Sequence, residues 1–360
     1  MSCFRFEAPR ERKNHLVAVV TSTPRPAAGG GRPCHRTALV LGAGGVLGAA
    51  WMTGALACLQ DWLQHPLNDA DLIVGTSAGS VLAAALRCGA TVEEMAAWQR
   101  GDATGILGES AVLAAPGGPL PPLPRLRFGS VPLAATAMLR PDLVPPWVGA
   151  TAWLPHGRAQ HATVRALVTA LHGRHHKHPS KSAAALSWAD GRTWIAATDY
   201  DTGQRVLFGR EGAPQVALPD AVVASCSIPG WYQPAKIGGR RYVDGGVRCP
   251  TSLGTLSGTD VRDIVVLAPL ASTESDHPLQ PHLRIERRLR QLLTRILLRQ
   301  AKMLAAQGKR VTILTPGPRD LAVMGANPMD PRRTEAVLET SFRTSAAALA
   351  TLDNTCRPAA

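Results

Sequence analysis

The chain has 360 residues, 45% of them hydrophobic, enough to bury a sizeable core in one large or two small domains. Lys and Arg number 39 against 26 Asp and Glu, a formal net charge of +13 that favours anionic surfaces, although a merely arginine-rich soluble chain accounts for it equally well. No stretch approaches the roughly 20 apolar residues of a bilayer-crossing helix, the run His15 to Val20 is too short for a signal-peptide core, and seven cysteines without a C-x-x-C pair indicate neither a disulfide framework nor a zinc site.

Residues 1–36, including Thr23-Pro-Arg-Pro-Ala-Ala-Gly-Gly-Gly-Arg-Pro33, have no periodicity and read as a flexible basic tail, so structure is expected from Thr37. Thr37-Ala-Leu-Val-Leu41 is a buried-strand pattern ending in Gly42-Ala-Gly-Gly-Val-Leu-Gly48, after which Ala49 to Leu63 carries helical periodicity. Leu72-Ile-Val74 gives a second strand, Gly75-Thr-Ser-Ala-Gly79 follows it, and another helix begins at Ser80. This alternation predicts an α/β protein with a central, mostly parallel sheet between two helical layers. Residues 101–182, rich in proline with scattered large apolar groups, are expected to form an insertion covering the sheet edge. Strands resume at Thr193–Ala197, Arg205–Phe208, Ile264–Leu267 and Val311–Leu314. Between the last two, residues 284–304 predict a long helix, with Ile285, Leu289, Leu292, Leu293, Ile296 and Leu297 packed on the core. Its arginines, Arg287, Arg288, Arg290, Arg295 and Arg299, then form a solvated basic face, the alternative being a helix on a membrane surface. Residues 321–360 are expected as a C-terminal helical extension.

Gly75-Thr-Ser77-Ala-Gly79 has the G-x-S-x-G form of a nucleophile elbow, in which a serine sits on a sharp strand-to-helix turn. The loop at 42–48 is not a dinucleotide fingerprint, since Leu47 stands where the third glycine is needed, nor a phosphate loop, since Ala49-Ala50 replaces Lys-Ser/Thr. Two readings stay open: an oxyanion hole of backbone N–H groups at a helix N-terminus, or a tight turn that simply needs glycine. For the base of an activated serine, Arg174-His-His-Lys-His178 reads as a solvated loop. His277 and His282 compete, but a histidine-dependent hydrolase of this class places its serine after more strands than precede Ser77. The other candidate is Asp244, released from a short strand by Gly245-Gly246, which a simple hairpin turn would also explain.

Taken together, these motifs resemble the patatin-like phospholipases, lipid acyl hydrolases with a Ser–Asp dyad. Gly42-Ala-Gly-Gly-Val-Leu-Gly48 is similar to the family's glycine-rich oxyanion loop, Gly75 to Gly79 to its nucleophile elbow, and Asp244-Gly-Gly246 to its aspartate motif. Ala197-Thr-Asp-Tyr-Asp-Thr-Gly203 and Ala224-Ser-Cys-Ser-Ile-Pro-Gly230 resemble stretches preceding that aspartate, and the likeness covers roughly residues 37–320. The chain departs from the family's G-G-G-x-R-G at two places: Leu47 stands at the arginine and Ala43 at a glycine.

The resemblance implies Ser77 as nucleophile, Asp244 as general base, and the N–H groups of Gly44, Gly45 and Ala78 as the oxyanion hole. A free aspartate is a poor base, so burial is expected to raise its pKa. The implied substrate is a phospholipid or other acyl-ester lipid, with no cofactor, metal or nucleic acid, in the cytoplasm or peripherally on a membrane; the sequence sets no oligomeric state. Trp147, Val148, Trp153 and Leu154 are expected to form either a lid or acyl channel, or a satellite core. Alternative functions are an esterase or thioesterase on soluble acyl substrates, or a catalytically silent binding protein of the same fold.

Overall fold

Short runs of Val, Ile and Leu become strands where glycine, proline or charged turns bound them. The computed structural model describes residues 17–20, 36–102, 125–159, 161–175, 188, 191–274, 276 and 278–356. In chain order it gives β1 (Val17–Val20), β2 (Thr37–Leu41), α1 (Gly45–Leu63), β3 (Leu72–Thr76), α2 (Ala78–Arg87) and α3 (Val92–Arg100). There follow β4 (Arg125–Phe128), α4 (Val131–Leu139), α5 (Pro146–Ala150), β5 (Pro155–His156), α6 (Ala162–His175), β6 (Arg192–Asp199) and β7 (Arg205–Phe208). The chain continues through α7 (Leu218–Ser225), β8 (Ala235–Ile237), β9 (Arg240–Asp244), β10 (Asp263–Leu267), α8 (Pro281–Ala306), β11 (Arg310–Leu314), α9 (Pro318–Met324) and α10 (Thr334–Cys356).

Among the described residues nine strands share one sheet in the order β1-β11-β10-β2-β3-β6-β9-β8, with β7 also on β6. The middle five, β11 to β6, are parallel, and antiparallel strands finish both edges. Side chains alternate across the pleat: Ala38 and Val40 enter one apolar layer, Leu39 and Leu41 the other. Helices α1, α2, α3, α6, α7, α9 and α10 contribute to the layer of Leu39 and Leu41, α8 to that of Ala38 and Val40. Because both faces of the central strands are covered, those strands are mostly apolar. The fold is therefore a three-layer α/β/α sandwich. Helix α10 is held close on α1 because Gly54 has no side chain: a Cβ there would stand 2.8 Å from Ser341 Cβ. Ser341 Oγ fixes the contact by donating to the Trp51 carbonyl at 2.6 Å.

Three expectations need correction. Residues 17–20, assigned to the tail, form β1, which pairs antiparallel with β11; their Val-Ala-Val-Val composition suits an edge strand. Arg174 and His175, assigned to a loop, end helix α6, and residues 176–178 lie outside the described residues. Helix α8 spans the predicted segment, but its faces are reversed toward its N-terminus. Leu297, Ala301 and Leu304 anchor its second half on the sheet, and the same face carried back brings Thr294, Arg290 and Arg287 inward. Those arginines are buried because each finds partners: Arg287 Nε donates to both Asp276 oxygens at 2.7 and 2.9 Å, and Arg290 pairs with Glu286 and donates to the Pro269 carbonyl at 2.5 Å. Ile285, Leu289 and Leu292 are left 70%, 55% and 49% exposed.

Candidate active site

Strand β3 is buried along its whole length and α2 starts two residues after it ends, so the single residue between them must reverse the chain. That residue is Ser77, at φ 53° and ψ −122°, a conformation that costs a non-glycine residue on the order of 1–3 kcal/mol. The motif glycines on either side serve close approach. A Cβ on Gly75 would lie 2.6 Å from Ser80 Cα, and one on Gly79 only 2.1 Å from the Leu41 carbonyl oxygen, so α2 is pressed against the end of β2.

Asp244 is the last residue of β9, opposite Ala197 of β6 in the sheet. Its backbone N–H donates to the Ser227 carbonyl at 2.9 Å, and one carboxylate oxygen accepts the Gly246 N–H at 2.7 Å, which curls the chain beneath it. The Ser77 hydroxyl lies near enough to the carboxylate to favour its ionised form. Burial pushes the carboxyl up to about 6, against the opposing pull of the nearby Ser77 hydroxyl and of the Gly246 N–H. Ser77 and Asp244 are 6% and 5% exposed, so little water competes for this pair.

The glycine loop closes the third side. Gly42 and Ala43 donate their N–H groups to Leu267 and Pro250 at 2.9 and 2.7 Å, Leu47 donates to Pro328 at 2.9 Å, and Gly48 to Gly44 at 2.9 Å. Among the described residues the N–H groups of Gly44, Gly45 and Ala78 have no protein acceptor. Gly45 adopts φ +62°, and a side chain there would strike Met329 Sδ at 2.8 Å. The aspartate turn abuts the same loop, a Cβ on Gly246 falling 3.0 Å from Ala43 Cβ, while one on Gly245 would meet the Ala196 carbonyl at 2.3 Å. The three predicted motifs, 42–48, 75–79 and 244–246, thus converge at the C-terminal ends of β2 and β3. Leu47, at the position of the family arginine, is fully buried in the core with no charge toward the loop.

The sequence reading marked Ala224–Gly230 only as a similar stretch and missed what it does. Ser225 Oγ accepts the Ser77 N–H at 2.8 Å and donates to the Ala196 carbonyl at 2.6 Å, while Ser227 supplies the carbonyl that fixes Asp244. One turn at the end of α7 therefore positions both partners. The only available signal was two serines at 225 and 227 amid apolar neighbours. Of the histidine candidates, His282 is exposed in the first turn of α8, and His277 lies outside the described residues. Among the described residues no cluster of three or more His, Cys, Asp and Glu is arranged to hold a metal ion. Val148 belongs to a small separate core with Leu133, Val144, Tyr200 and Val243, directly behind Asp244, whereas Trp147, Trp153 and Leu154 are 52%, 62% and 41% exposed. A hydroxyl beside a buried carboxylate of raised pKa, next to N–H groups without a protein acceptor, has the parts for attack on an acyl carbon.

A family model described as patatin-like phospholipase matches residues 39–253. Among solved structures, VipD from Legionella pneumophila is similar over 95% of this chain and 71% of its own, at 12% identity and a TM-score of 0.41. The ExoU–SpcU complex of the Pseudomonas aeruginosa type III secretion system is similar over 99% and 68%, at 18% identity and a TM-score of 0.30. Both scores are low, and the architecture rests on the strand order described above.

Proposed function

Because the chain belongs to the patatin-like phospholipase family, a group of lipid acyl hydrolases, we propose that Ser77 and Asp244 form a catalytic dyad that cleaves fatty-acyl esters of phospholipids or related lipids. The observation that carries this reading is a serine on a positive-φ turn beside a buried carboxylate raised to about 6. In the first step Ser77 Oγ attacks the ester carbonyl carbon while its proton passes to Asp244. The oxyanion is stabilised by the N–H groups of Gly44, Gly45 and Ala78, the last two at helix N-termini whose dipoles favour negative charge. Collapse of the tetrahedral species breaks the ester C–O bond, and the departing alcohol takes the proton from Asp244. Water then attacks the acyl-serine with Asp244 again as base, releasing the fatty acid and restoring Ser77.

Asp244 can act in place of histidine because its pKa lies within reach of neutral pH, where a carboxylate both accepts a proton and gives it back. Leu47 removes a side-chain cation from the loop but no backbone donor, so the amide-based chemistry is retained. The test is lipid mass spectrometry of products from a phospholipid mixture, with Ser77→Ala and Asp244→Ala as controls, combined with fluorophosphonate labelling. Fatty acid release and labelling by the wild type alone support the reading. Labelling of Ser77→Ala, or hydrolysis confined to short soluble esters, refutes it.

A further inference from the structure

We propose that the outward face of α8 is a docking surface for an anionic lipid bilayer, a reading that rests on the lipid substrate assigned above and names the surface that meets it. Ile285, Leu289, Leu292, Ile296 and Met303 follow one another at steps of 4, 3, 4 and 7 residues, which places them in one stripe along the helix. Instead of facing the core, Ile285, Leu289, Leu292 and Met303 are 70%, 55%, 49% and 43% exposed. A row of exposed arginines, Arg284, Arg288, Arg295 and Arg299, flanks the stripe. The one acid of the helix, Glu286, is turned to Arg287 and Arg290. An apolar strip bordered by cations with no exposed acid matches the acyl–headgroup boundary of an anionic membrane, whereas a neutral protein surface would leave the arginines without partners.

The face is joined to the site. Arg290 holds the Pro269 carbonyl, and the Pro269 ring packs on the glycine loop so closely that a Cβ on Gly44 would stand 2.6 Å from its Cγ. Leu293 and Ile296, at the inner border of the stripe, meet Ala43 of that loop across an apolar seam that also touches Ala268, Ala271 and Leu297. Helix α8 therefore packs against the loop that carries the proposed oxyanion hole. No helix among the described residues is long and apolar enough to cross a membrane, so the attachment is peripheral.

The experiment is co-sedimentation of the full chain with vesicles of phosphatidylcholine alone or with phosphatidylglycerol added. It compares wild type, Ile285→Asp/Leu289→Asp/Leu292→Asp and the charge-reversed Arg288→Glu/Arg295→Glu/Arg299→Glu. Short-chain p-nitrophenyl ester hydrolysis and fluorophosphonate labelling run alongside. The wild type is expected to bind only the anionic vesicles, less so as salt rises, and each variant to bind at least about tenfold more weakly. Ester hydrolysis should be unchanged, since none of these residues touches Ser77 or the loop; the single Leu289→Gln, weakened in the same direction, guards against misfolding of the multiple variants. Equal vesicle binding by wild type and both variants overturns the proposal, as does binding to neutral vesicles alone, or a wild-type dimer that the apolar triple variant splits while vesicle binding persists. Loss of ester hydrolysis and labelling in the wild type would instead refute the hydrolase reading and leave the vesicle result to judge the surface by itself.

Discussion

Replacing Asp244 with Asn separates the electrostatic cost of the site from its chemistry. The Asp244 carboxyl is pushed up from an ordinary 3.8 to about 6 by burial, about two pH units at about 1.4 kcal/mol each. Between those values the unfolded chain has released its proton and the folded chain has not. Stability present below pH 3.8 is therefore lost progressively as pH rises through about 6, and stays lost above it. Ionised Asp244 thus destabilises the fold by about 3 kcal/mol at neutral pH, undiminished by solvent because the carboxylate is only 5% exposed. Asn keeps an oxygen for the Gly246 N–H and cannot ionise, so Asp244→Asn is expected to be more stable than wild type by about 3 kcal/mol at about pH 8. At about pH 4.5 the advantage should shrink by roughly 2 kcal/mol. Urea unfolding at the two pH values measures this. Ester hydrolysis by the wild type should rise through about pH 6 as the carboxyl ionises, and the variant should lose it. A stability difference that is flat with pH, or an Asn variant weaker than wild type at pH 8, would refute the assignment of a raised pKa. A wild-type activity profile flat down to about pH 4, near the pKa of a free aspartate, would remove Asp244 as the base.

Ser77→Gly relieves the φ 53° turn and should raise stability by about 1–2 kcal/mol while abolishing fluorophosphonate labelling; an unfolding midpoint below that of wild type counts against strain at the elbow. Ser225→Ala leaves the Ser77 N–H and the Ala196 carbonyl unpaired in a buried setting, costing about 1–3 kcal/mol in urea unfolding. Its kcat should fall with KM little changed, since Ser225 positions the nucleophile and does not touch substrate; wild-type kinetics would show that the bond is idle. Leu47→Arg, which restores the family's residue, drives a guanidinium into a fully buried apolar position and should destabilise by at least about 3 kcal/mol without raising activity. Higher activity in a folded Leu47→Arg protein would mean that the side chain turns toward the loop instead.

The parallel centre of the sheet was legible because its strands, largely buried, read as short apolar runs at 37–41, 72–74 and 264–267. The motifs at 42–48, 75–79 and 244–246 were legible for a different reason: each needs residues too small to be exchanged where backbones nearly touch, as at Gly79 and Gly245. Long-range hydrogen bonding leaves no such trace. Ser225 lies 148 positions from Ser77, and a buried serine at a helix end looks the same in sequence whether it braces a nucleophile or simply caps a turn. The orientation of α8 failed for a third reason. Periodicity located an apolar stripe correctly, but burial went to the opposite face, where Asp276, Glu286 and the Pro269 carbonyl satisfy two arginines. Partners on other elements decide such a contest, and a helical pattern read alone contains none of them.

The same burial that gives Asp244 its basicity sets a structural demand on the rest of the fold. A carboxylate at the end of a strand, ionised at neutral pH and nearly closed to water, and a serine held at positive φ both oppose folding, and both belong to the proposed chemistry. Neither can relax without moving the segments that carry it. Ser77 is held through Gly79 on Leu41, Asp244 through Ser227 and Gly246, and the glycine loop through Pro250, Leu267 and Pro328. The Pro328 contact ties the loop to the segment between α9 and α10, and α10 packs Ser341 against Gly54 of α1. Helix α1 begins at the glycine loop, so its close packing on α10 fixes the direction in which the Gly44 and Gly45 amides point. The C-terminal helices, outside the matched family segment, thereby take part in keeping the donors oriented, with no side chain of their own at the reacting atoms.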